Sequence, residues 1–339
     1  MASINQQNGD VQFCFHNISG SCVMTPWSPG IRISLYGVLG FITILTVGGN
    51  LLVIFSIMYF KQLHSPSNFL VVSLACADCS LGLIVLPFST IRSVETCWYF
   101  GDRFCKFHSA LDICFCLASM FNLCFVSVDR YVAITDPLLY PIRFTVTLSG
   151  VFIALSWISA FLYSFSLLYT GANEEGLEEV VHALHCEGNC QILFNKTWVI
   201  ISSLLYFIPF FIMICLNSKI FAVAKHQARK IEQMGNKMFS EGDKVSKRER
   251  KAAVTLGIAV MAFLVFWSPY FITVMIDSFF NYIIPPLAFD IMIWFAYSNS
   301  AINPLIYAFF YPWFRKAIKV VLSCKILWIN CSSMNLFSD

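Results

Sequence analysis

The sequence predicts an all-α fold, a seven-transmembrane helix bundle. Three observations support this prediction. Hydrophobic residues make up 58% of the 339 residues and charged residues only 12%, whereas a soluble chain carries roughly twice that charged fraction. The mean hydropathy is +0.71. The apolar residues also lie in long continuous runs, which is typical of membrane spans and not of a soluble core.

Seven such runs exceed the roughly 18 residues that mark a candidate transmembrane helix. An open strand edge in hydrocarbon would leave backbone amides unpaired, so spans of this length are predicted to be helices. Four runs contain no charged residue, and three contain one acid each, Asp78, Asp112 or Asp290. The runs are 33–60, 68–91, 107–128, 144–173, 197–218, 252–276 and 278–314.

The distribution of basic residues predicts the orientation. The positive-inside rule places the N-terminus outside, because 17 of the 22 Lys and Arg residues then lie on the cytoplasmic side. The five on the outer side are Arg32, Arg92, Arg103, Lys106 and Lys196. We expect an extracellular tail at 1–32, the bundle at 33–314 and a cytoplasmic segment at 315–339, with long connections only at 170–195 and 224–251. Topology explains the basic residues, so no nucleic-acid partner is expected.

Six cysteines lie on the extracellular, oxidising side, and their pairing cannot be read from the sequence alone. They are Cys14, Cys22, Cys97, Cys105, Cys186 and Cys190. The last two lie close to His182 and His185 and resemble a metal cluster, but in an extracellular loop disulfides are expected instead. On the tail, Asn17-Ile-Ser19 is a glycosylation sequon, and Asn195 begins a second one close to the membrane.

Asp112 is the most informative acid within the spans. It lies seven residues after Cys105 in the third span, which places it about 10 Å below the outer edge. Spans 3, 5, 6 and 7 offer no basic residue at that depth, so a cationic ligand is the natural partner. Tyr297 lies at comparable depth and could hydrogen-bond the carboxylate. The alternative is a protonated or water-solvated structural Asp, with the neighbouring aromatic residues as ordinary packing.

Further residues complete the predicted pocket. The aromatic side chains that could surround an ammonium through cation–π contacts are Trp267, Tyr270, Phe271 and Trp294. In the outer half of span 5, Ser202 could hydrogen-bond an amine, but no acid lies there. A diamine needs a second buried anion, so the sequence favours monoamine ligands.

Two more polar clusters are predicted in or beside the spans. Asp78 lies at mid-depth in span 2 near Asn50 of span 1, and a cluster of this kind can hold a sodium ion or only water. The residues that could complete it are Ser119, Asn299, Ser300 and Asn303. At the inner end of span 3, Asp129-Arg130-Tyr131 faces the start of span 6, where an Arg130–Glu249 ion pair would tie two helix ends together.

These residues resemble the landmarks of rhodopsin-class G-protein-coupled receptors over 33–324. The landmarks are Asn50, Asp78, Asp129-Arg130-Tyr131, Trp157, Pro209, Trp267-Ser268-Pro269 and Asn303-Pro304-Leu305-Ile306-Tyr307. Longer strings resemble the trace amine-associated receptors within that class. They are NSAINPLIYAFFYPWF at 299–314, CWYFG at 97–101, FKQLH at 60–64 and KRERKAA at 247–253.

The resemblance implies a plasma-membrane receptor for a small amine, olfactory in most members. It further implies coupling to a stimulatory heterotrimeric G protein that raises cyclic AMP, with no enzymatic activity and no cofactor. By the same resemblance, Asp112 is the amine-binding aspartate, Tyr297 its partner and Trp267 the aromatic switch beneath the ligand. The residues it assigns to activation and G-protein coupling are Asp129, Arg130, Tyr131, Glu249, Asn303, Pro304 and Tyr307.

The resemblance also implies covalent features. It pairs Cys105 with Cys190 and Cys22 with Cys186, and it leaves Cys14 and Cys97 free or paired with each other. The segment 314–323 resembles the short amphipathic eighth helix of these receptors, and Cys324 resembles their palmitoylation site.

Four residues depart from the family pattern, namely Asn217, Val254, Phe266 and Asn122. Asn217 replaces a tyrosine that in relatives reaches toward the position of Tyr307 in the active state, so the efficiency of coupling stays open.

Three other protein classes are alternatives. A transporter for organic cations would share Asp112 but usually has internal repeats, which this sequence lacks. A receptor of the same fold for a non-cationic ligand would leave Asp112 unexplained. A membrane enzyme would need a nucleophile–base pair or a metal motif within the spans, and none is found.

Overall fold

The computed structural model describes residues 12–233, 241–310 and 312–322, without side chains at 224, 227–254, 310–313 and 322. Its main helices, labelled α1 to α8, are Pro29–Tyr59, Pro66–Glu95, Asp102–Thr135, Val146–Thr170, Lys196–Gln233, Glu241–Phe279, Pro286–Phe310 and Pro312–Leu322. Shorter helices lie in the connections at Lys61–Leu63, Tyr140–Arg143 and Glu178–Leu184. In the described ranges, β-structure is limited to two isolated bridges, Phe13–Val23 and Ser21–Glu187.

The predicted all-α membrane bundle is confirmed. Helices α1 to α6 are each long and apolar enough to cross a membrane. Helix α7 has 25 residues, and its polar side chains, which include Asp290, Asn299 and Asn303, make it less apolar than the others. It packs between α1 and α6 as the seventh member of the bundle. Helix α8 packs against α1 and α7 and buries Phe314, as expected of the eighth helix.

The inner connection is shorter than predicted. The sequence suggests a loop at 224–251, but α5 continues to Gln233 and α6 begins at Glu241. This segment is rich in Ala, Lys, Arg, Gln and Glu, which are good helix formers. Polar composition marks the point where the chain leaves the membrane, and here it does not mark the end of the helix.

Helix α3 lies at the centre of the bundle. It packs against α2, α4 and α5, so side chains along its length can meet residues from several other helices. A polar contact fixes the neighbouring α2–α4 pair, since Trp157 Nε1 donates to Ser73 Oγ at 3.0 Å. Asp112, Ser119 and Arg130, which belong to the predicted ligand, ion and coupling sites in turn, therefore lie on this one helix.

A local irregularity in α2 sets the positions of its outer residues. The helix begins at Pro66, after Ser65 Oγ accepts a hydrogen bond from Asn68 N at 3.3 Å. At Leu81–Val85 it forms a π turn, which inserts an extra residue and rotates everything that follows. Beyond this turn, Ser93 contacts α7, a contact that the sequence pattern did not predict.

Three disulfides hold the extracellular side together. They are Cys105–Cys190, Cys22–Cys186 and Cys14–Cys97. The first joins the long outer loop to α3, the second joins the tail to the same loop, and the third joins the tail to the α2–α3 connection. The first two are the pairings that the resemblance implies. The third joins Cys14 to Cys97, which the resemblance left either free or paired with each other.

The loop and the tail are also joined through their backbones. Cys22 N donates to Glu187 O and Glu187 N donates to Gly20 O, both at 2.9 Å. With the disulfides, these bonds fix the loop across the outer end of the bundle. The chain around 185–190 therefore keeps a defined position although the side chains of His185 and Glu187 are exposed.

The two sequons have different surroundings. Asn17 is exposed on the tail. Asn195 begins α5, and its Oδ1 accepts from Trp198 N at 3.0 Å, which is the usual bond of an N-cap. Its Nδ2 donates to Ala172 O and Glu175 O, each at 3.0 Å. The Asn195 amide is thus fully engaged in structure, and Asn17 is the accessible acceptor.

Candidate ligand-binding site

Asp112 lies on α3 with both carboxylate oxygens bonded. Tyr297 of α7 donates its hydroxyl to Asp112 Oδ2 at 2.5 Å, as the sequence suggested. Cys116, one turn further along α3, donates its thiol to Oδ1 at 3.5 Å. The carboxylate is partly exposed, and its exposed side opens into a cavity. Helix spacing therefore provides one partner, and the Tyr297 side chain that reaches across from α7 provides the other.

The cavity beside Asp112 has a volume of about 100 Å³. Of the described residues that line it, Asp112 alone carries a formal charge. Polar and aromatic residues that also line the cavity include Tyr163, Phe194, Ser202, Tyr206, Trp267, Tyr270 and Phe271. The site is therefore a small, largely apolar pocket with one anionic group.

Aromatic rings form much of the wall. Trp267 and Tyr270 meet edge to face with centroids 6.2 Å apart, and Phe271 stacks on Tyr206 at 4.1 Å. The faces of such rings carry partial negative charge and attract cations. Tyr206 is almost fully buried and was not predicted, because a single Tyr in an apolar run of span 5 gives no signal in the sequence.

Trp294 has a different role from the one predicted. The sequence placed it among the rings around the ligand, but it does not line the cavity. Its indole Nε1 donates to Ser93 Oγ on α2 at 3.0 Å, and its ring meets Tyr297 edge to face at 5.6 Å. Trp294 therefore supports Tyr297 from behind, and Tyr297 in turn holds Asp112.

Ser202 lines the cavity from α5 as predicted, and it is already bonded. Its hydroxyl lies 2.7 Å from the hydroxyl of Tyr163 on α4. Phe194, from the outer loop just before α5, closes another part of the wall. Neither Tyr163 nor Phe194 was predicted, since the register of α4 and the path of the loop cannot be derived from spacing along the chain.

A second acid near the site is compensated within the protein. Asp290 on α7 accepts a hydrogen bond from Ser93 Oγ at 3.0 Å and lies 3.9 Å from Arg92 Nη2. Both partners come from the outer part of α2. The sequence showed Arg92 and Asp290 as separate charges and did not predict that they meet.

The Asp78 cluster is assembled as predicted from three helices. Asp78 is buried, with 1% of its surface exposed, and its two oxygens accept from three side chains. The donors are Ser119 Oγ at 2.9 Å, Ser300 Oγ at 2.8 Å and Asn303 Nδ2 at 2.8 Å. Asn50 of α1 joins this region through Nδ2, which donates to Ser300 O at 3.0 Å. The cluster thus ties α1, α2, α3 and α7 together.

Several carbonyl oxygens near this cluster lack donors. The side-chain oxygens of Asn50, Asn299 and Asn303 are buried without a hydrogen-bond donor among the described residues. Buried acceptors of this kind are costly unless a water or a cation satisfies them. Hard cations prefer oxygen ligands, so the composition of the cluster fits a small cation as well as water.

The inner end of α3 is held by hydrogen bonds to α2 and the following loop. Arg130 Nε donates to Asp129 Oδ2 at 2.7 Å, and Tyr140 donates to Asp129 Oδ1 at 2.8 Å. Ser67 of α2 bonds to both Asp129 and Arg130. Burial raises the pKa of the Tyr140 hydroxyl, so it stays a donor at neutral pH. These bonds hold the Arg130 side chain beside Asp129.

Known proteins match the chain over most of its length. The family model described as 7 transmembrane receptor (rhodopsin family) matches residues 49–307. Trace amine-associated receptor 7a of Rattus norvegicus is 58% identical over 332 residues, which cover 97% of this chain and 93% of that protein. Trace amine-associated receptor 9 of Homo sapiens is 56% identical over 333 residues, which cover 97% of this chain and 96% of that protein. The chain belongs to the trace amine-associated receptors.

It is therefore a multi-pass G-protein-coupled receptor of the plasma membrane and not an enzyme, as its relatives are receptors. Two residues that the family resemblance assigned to the receptor's cytoplasmic side lie beyond what the structure describes. They are Glu249, whose side chain is not described, and Cys324, which lies after the last described residue. The Arg130–Glu249 ion pair and the palmitoylation of Cys324 remain predictions.

Asn217, one of the receptor's departures from the family pattern, links α5 to α3. Its Nδ2 donates to Met213 O at 2.8 Å within α5 and to Ser127 Oγ at 3.4 Å on α3. The asparagine is thus used in the conformation shown here. Its side chain is too short to cross the inner end of the bundle toward Tyr307, as a tyrosine at this position is expected to do by the family resemblance.

We predict that Asn217→Tyr increases the maximal agonist-evoked activation of the G protein. A hydroxyl that bonds across the opened inner face would favour the active state, and a gain of about 1.4 kcal/mol multiplies the active-to-inactive ratio roughly tenfold. The measurement is nucleotide exchange on the G protein at matched surface expression.

Asn217→Phe is the matched control, because it also removes the bond to Ser127 but brings no hydroxyl. An equal gain in Asn217→Phe would assign the effect to the lost Ser127 bond. No gain in Asn217→Tyr would show that Asn217 does not limit coupling.

Proposed function

We propose that this receptor binds a small protonated amine, with the ammonium against Asp112. The observation that carries the proposal is the charge balance of the cavity. Asp112 is bonded to Tyr297 and Cys116, which donate hydrogen bonds but bring no positive charge. Among the described lining residues, no Lys, Arg or His accompanies it. An ammonium ligand would supply the missing charge.

The rest of the cavity supports the same ligand class. Trp267, Tyr270 and Phe271 present rings to the space beside the carboxylate, and ring faces stabilise a desolvated ammonium by about 2 kcal/mol. The volume suits a ligand of few non-hydrogen atoms. The names of the relatives, trace amine-associated receptors, agree with an amine ligand.

The signalling part of the proposal rests on family resemblance. By that resemblance the receptor couples to a stimulatory heterotrimeric G protein, raises cyclic AMP and serves olfaction. Asn17, which is exposed, is the proposed glycosylation site. A screen of volatile amines in cells that report cyclic AMP tests ligand class and pathway together, and a response through another G protein would change the pathway without changing the ligand.

We predict that Asp112→Asn lowers amine potency by at least a hundredfold. The side chain keeps its size but loses its charge, and a loss of about 2.7 kcal/mol corresponds to a factor of a hundred. The measurement is a dose-response curve for the most active amine, at surface expression matched to wild type.

Glu179→Gln is the control for general electrostatics, because Glu179 is an exposed acid of the outer loop and lies outside the cavity. Its potency should stay near that of wild type. An Asp112→Asn receptor that responds like wild type would remove the basis of the proposed function.

We also predict that the receptor prefers monoamines to linear diamines by at least tenfold. A second ammonium out of water needs a second free anion. Asp290 does not provide one, because Arg92 and Ser93 already compensate it, and Ser202 is neutral and bonded to Tyr163. The measurement compares a diamine with a monoamine of similar length in one assay. A diamine that is tenfold more potent would show that a second anionic site exists.

We further propose that the Asp78 cluster binds a sodium ion that favours the inactive receptor. The proposal rests on a buried carboxylate and on the buried amide oxygens without donors. Sodium chloride should lower amine affinity in membranes roughly fivefold relative to choline chloride of equal ionic strength, a typical allosteric coupling. Asp78→Asn should abolish the difference. A sodium effect that persists in Asp78→Asn would place the ion elsewhere.

A further inference from the structure

We infer that Asp102, His185 and Glu187 form a zinc-type metal site that joins the outer loop to the outer end of α3. One ligand atom of each residue, an imidazole nitrogen or a carboxylate oxygen, lies within 4.8 Å of the other two. All three side chains are exposed. The residues come from two chain segments and converge only in the folded receptor.

The convergence is fixed by the fold. Asp102 is the first residue of α3, three residues before Cys105, and that cysteine is bonded to Cys190 of the loop. His185 and Glu187 flank Cys186, which is bonded to the tail through Cys22. Two disulfides therefore hold the loop and the start of α3 beside each other. Because the backbone is already held in place, ion binding would require little further ordering of it.

The two carboxylates of the site favour the binding of a cation. Asp102 and Glu187 bring two carboxylates close together, and like charges at this separation repel. Arg103 and Lys106 line the same cleft, yet within the described part of the chain no Lys or Arg lies within 4.0 Å of either carboxylate. Nor does His185 form a hydrogen bond with either acid in the described structure. The three groups thus lie close together, and among the described residues there is neither a hydrogen bond between them nor a Lys or Arg within 4.0 Å of the carboxylates.

The ligand set suits zinc. Zinc accepts imidazole nitrogen and carboxylate oxygen at about 2.0–2.2 Å, and sites with three protein ligands complete their coordination with water. Tetrahedral bonds of that length place the ligand atoms about 3.3 Å apart. The ligand atoms in the structure lie up to 4.8 Å apart. Rotation of the exposed side chains would bring them to the shorter separation. Calcium is a poorer fit because it takes six to eight oxygens.

The site also borders a cleft that water can reach. Asp102 and His185 line an outer cleft of about 420 Å³, together with Cys190 and Leu193. The next residue, Phe194, lines the cavity beside Asp112. An ion bound at the rim would therefore restrain a loop that also forms a wall of the ligand cavity. This site lies outside the amine cavity, so its existence does not depend on the proposed amine function.

The test is a thermal-unfolding titration of the full-length purified receptor with zinc chloride, with magnesium chloride as the control ion. Zinc binding to the folded state raises the apparent Tm in a saturable way. We expect Asp102→Asn, His185→Gln and Glu187→Gln each to weaken zinc at least tenfold. His182→Gln is the matched control, since His182 is an exposed histidine of the same loop that does not join the cluster.

Hydrogen exchange gives a second readout. Zinc should slow exchange in peptides that cover 184–189 and in those that cover the start of α3, because the ion bridges both. The proposal is overturned if wild type shows no saturable zinc shift, if the shift survives in all three ligand variants, or if His182→Gln loses it equally. Tm values without zinc show whether each variant folds like wild type.

Discussion

The lack of hydrogen-bonding partners in hydrocarbon governs how this receptor is built. A polar side chain within the bundle must find its partner within the protein, on its own helix or on another, because lipid offers none. Thr46 and Ser127, for example, donate to carbonyl oxygens of their own helices. Asn50, Ser73 and Ser93 all meet this requirement by bonding across helices. The polar residues thereby fix the register of the helices, which the apolar residues alone leave loosely defined. Function then resides where a polar group cannot be fully satisfied.

Four of the acids within or beside the spans show this contrast. Asp129 has Arg130 and two hydroxyls, Asp290 has Arg92 and Ser93, and Asp78 has three neutral donors. Asp112 has one hydroxyl and one thiol and faces a cavity. Its charge is the least compensated by the protein. That difference, and not the presence of an acid in a span, is the basis of the proposed ligand site.

The sequence predicted the elements better than their contacts. Run lengths and the distribution of Lys and Arg gave the bundle and its orientation, because both depend on composition along one segment. Asp112 and Tyr297 were predicted to meet because depth can be counted from the end of each span. Tyr163, Tyr206 and the Arg92–Asp290 pair were not, because their positions depend on the rotation of helices relative to one another. The π turn in α2 adds a rotation that residue counting does not detect. The family resemblance, in turn, supplied two disulfides but could not pair Cys14 with Cys97.

The outer loop shows why such contacts matter for selectivity. Its disulfides to α3 and to the tail leave it little freedom, so Phe194 stands against the cavity as a fixed wall. An amine bound as proposed must then fit a small space between this ring and the rings of α6, with its charge at Asp112. On that proposal, selectivity among amines depends on shape on the loop side and on charge on the α3 side. Changes in the loop should alter which amine fits, whereas changes at Asp112 should alter whether any amine binds.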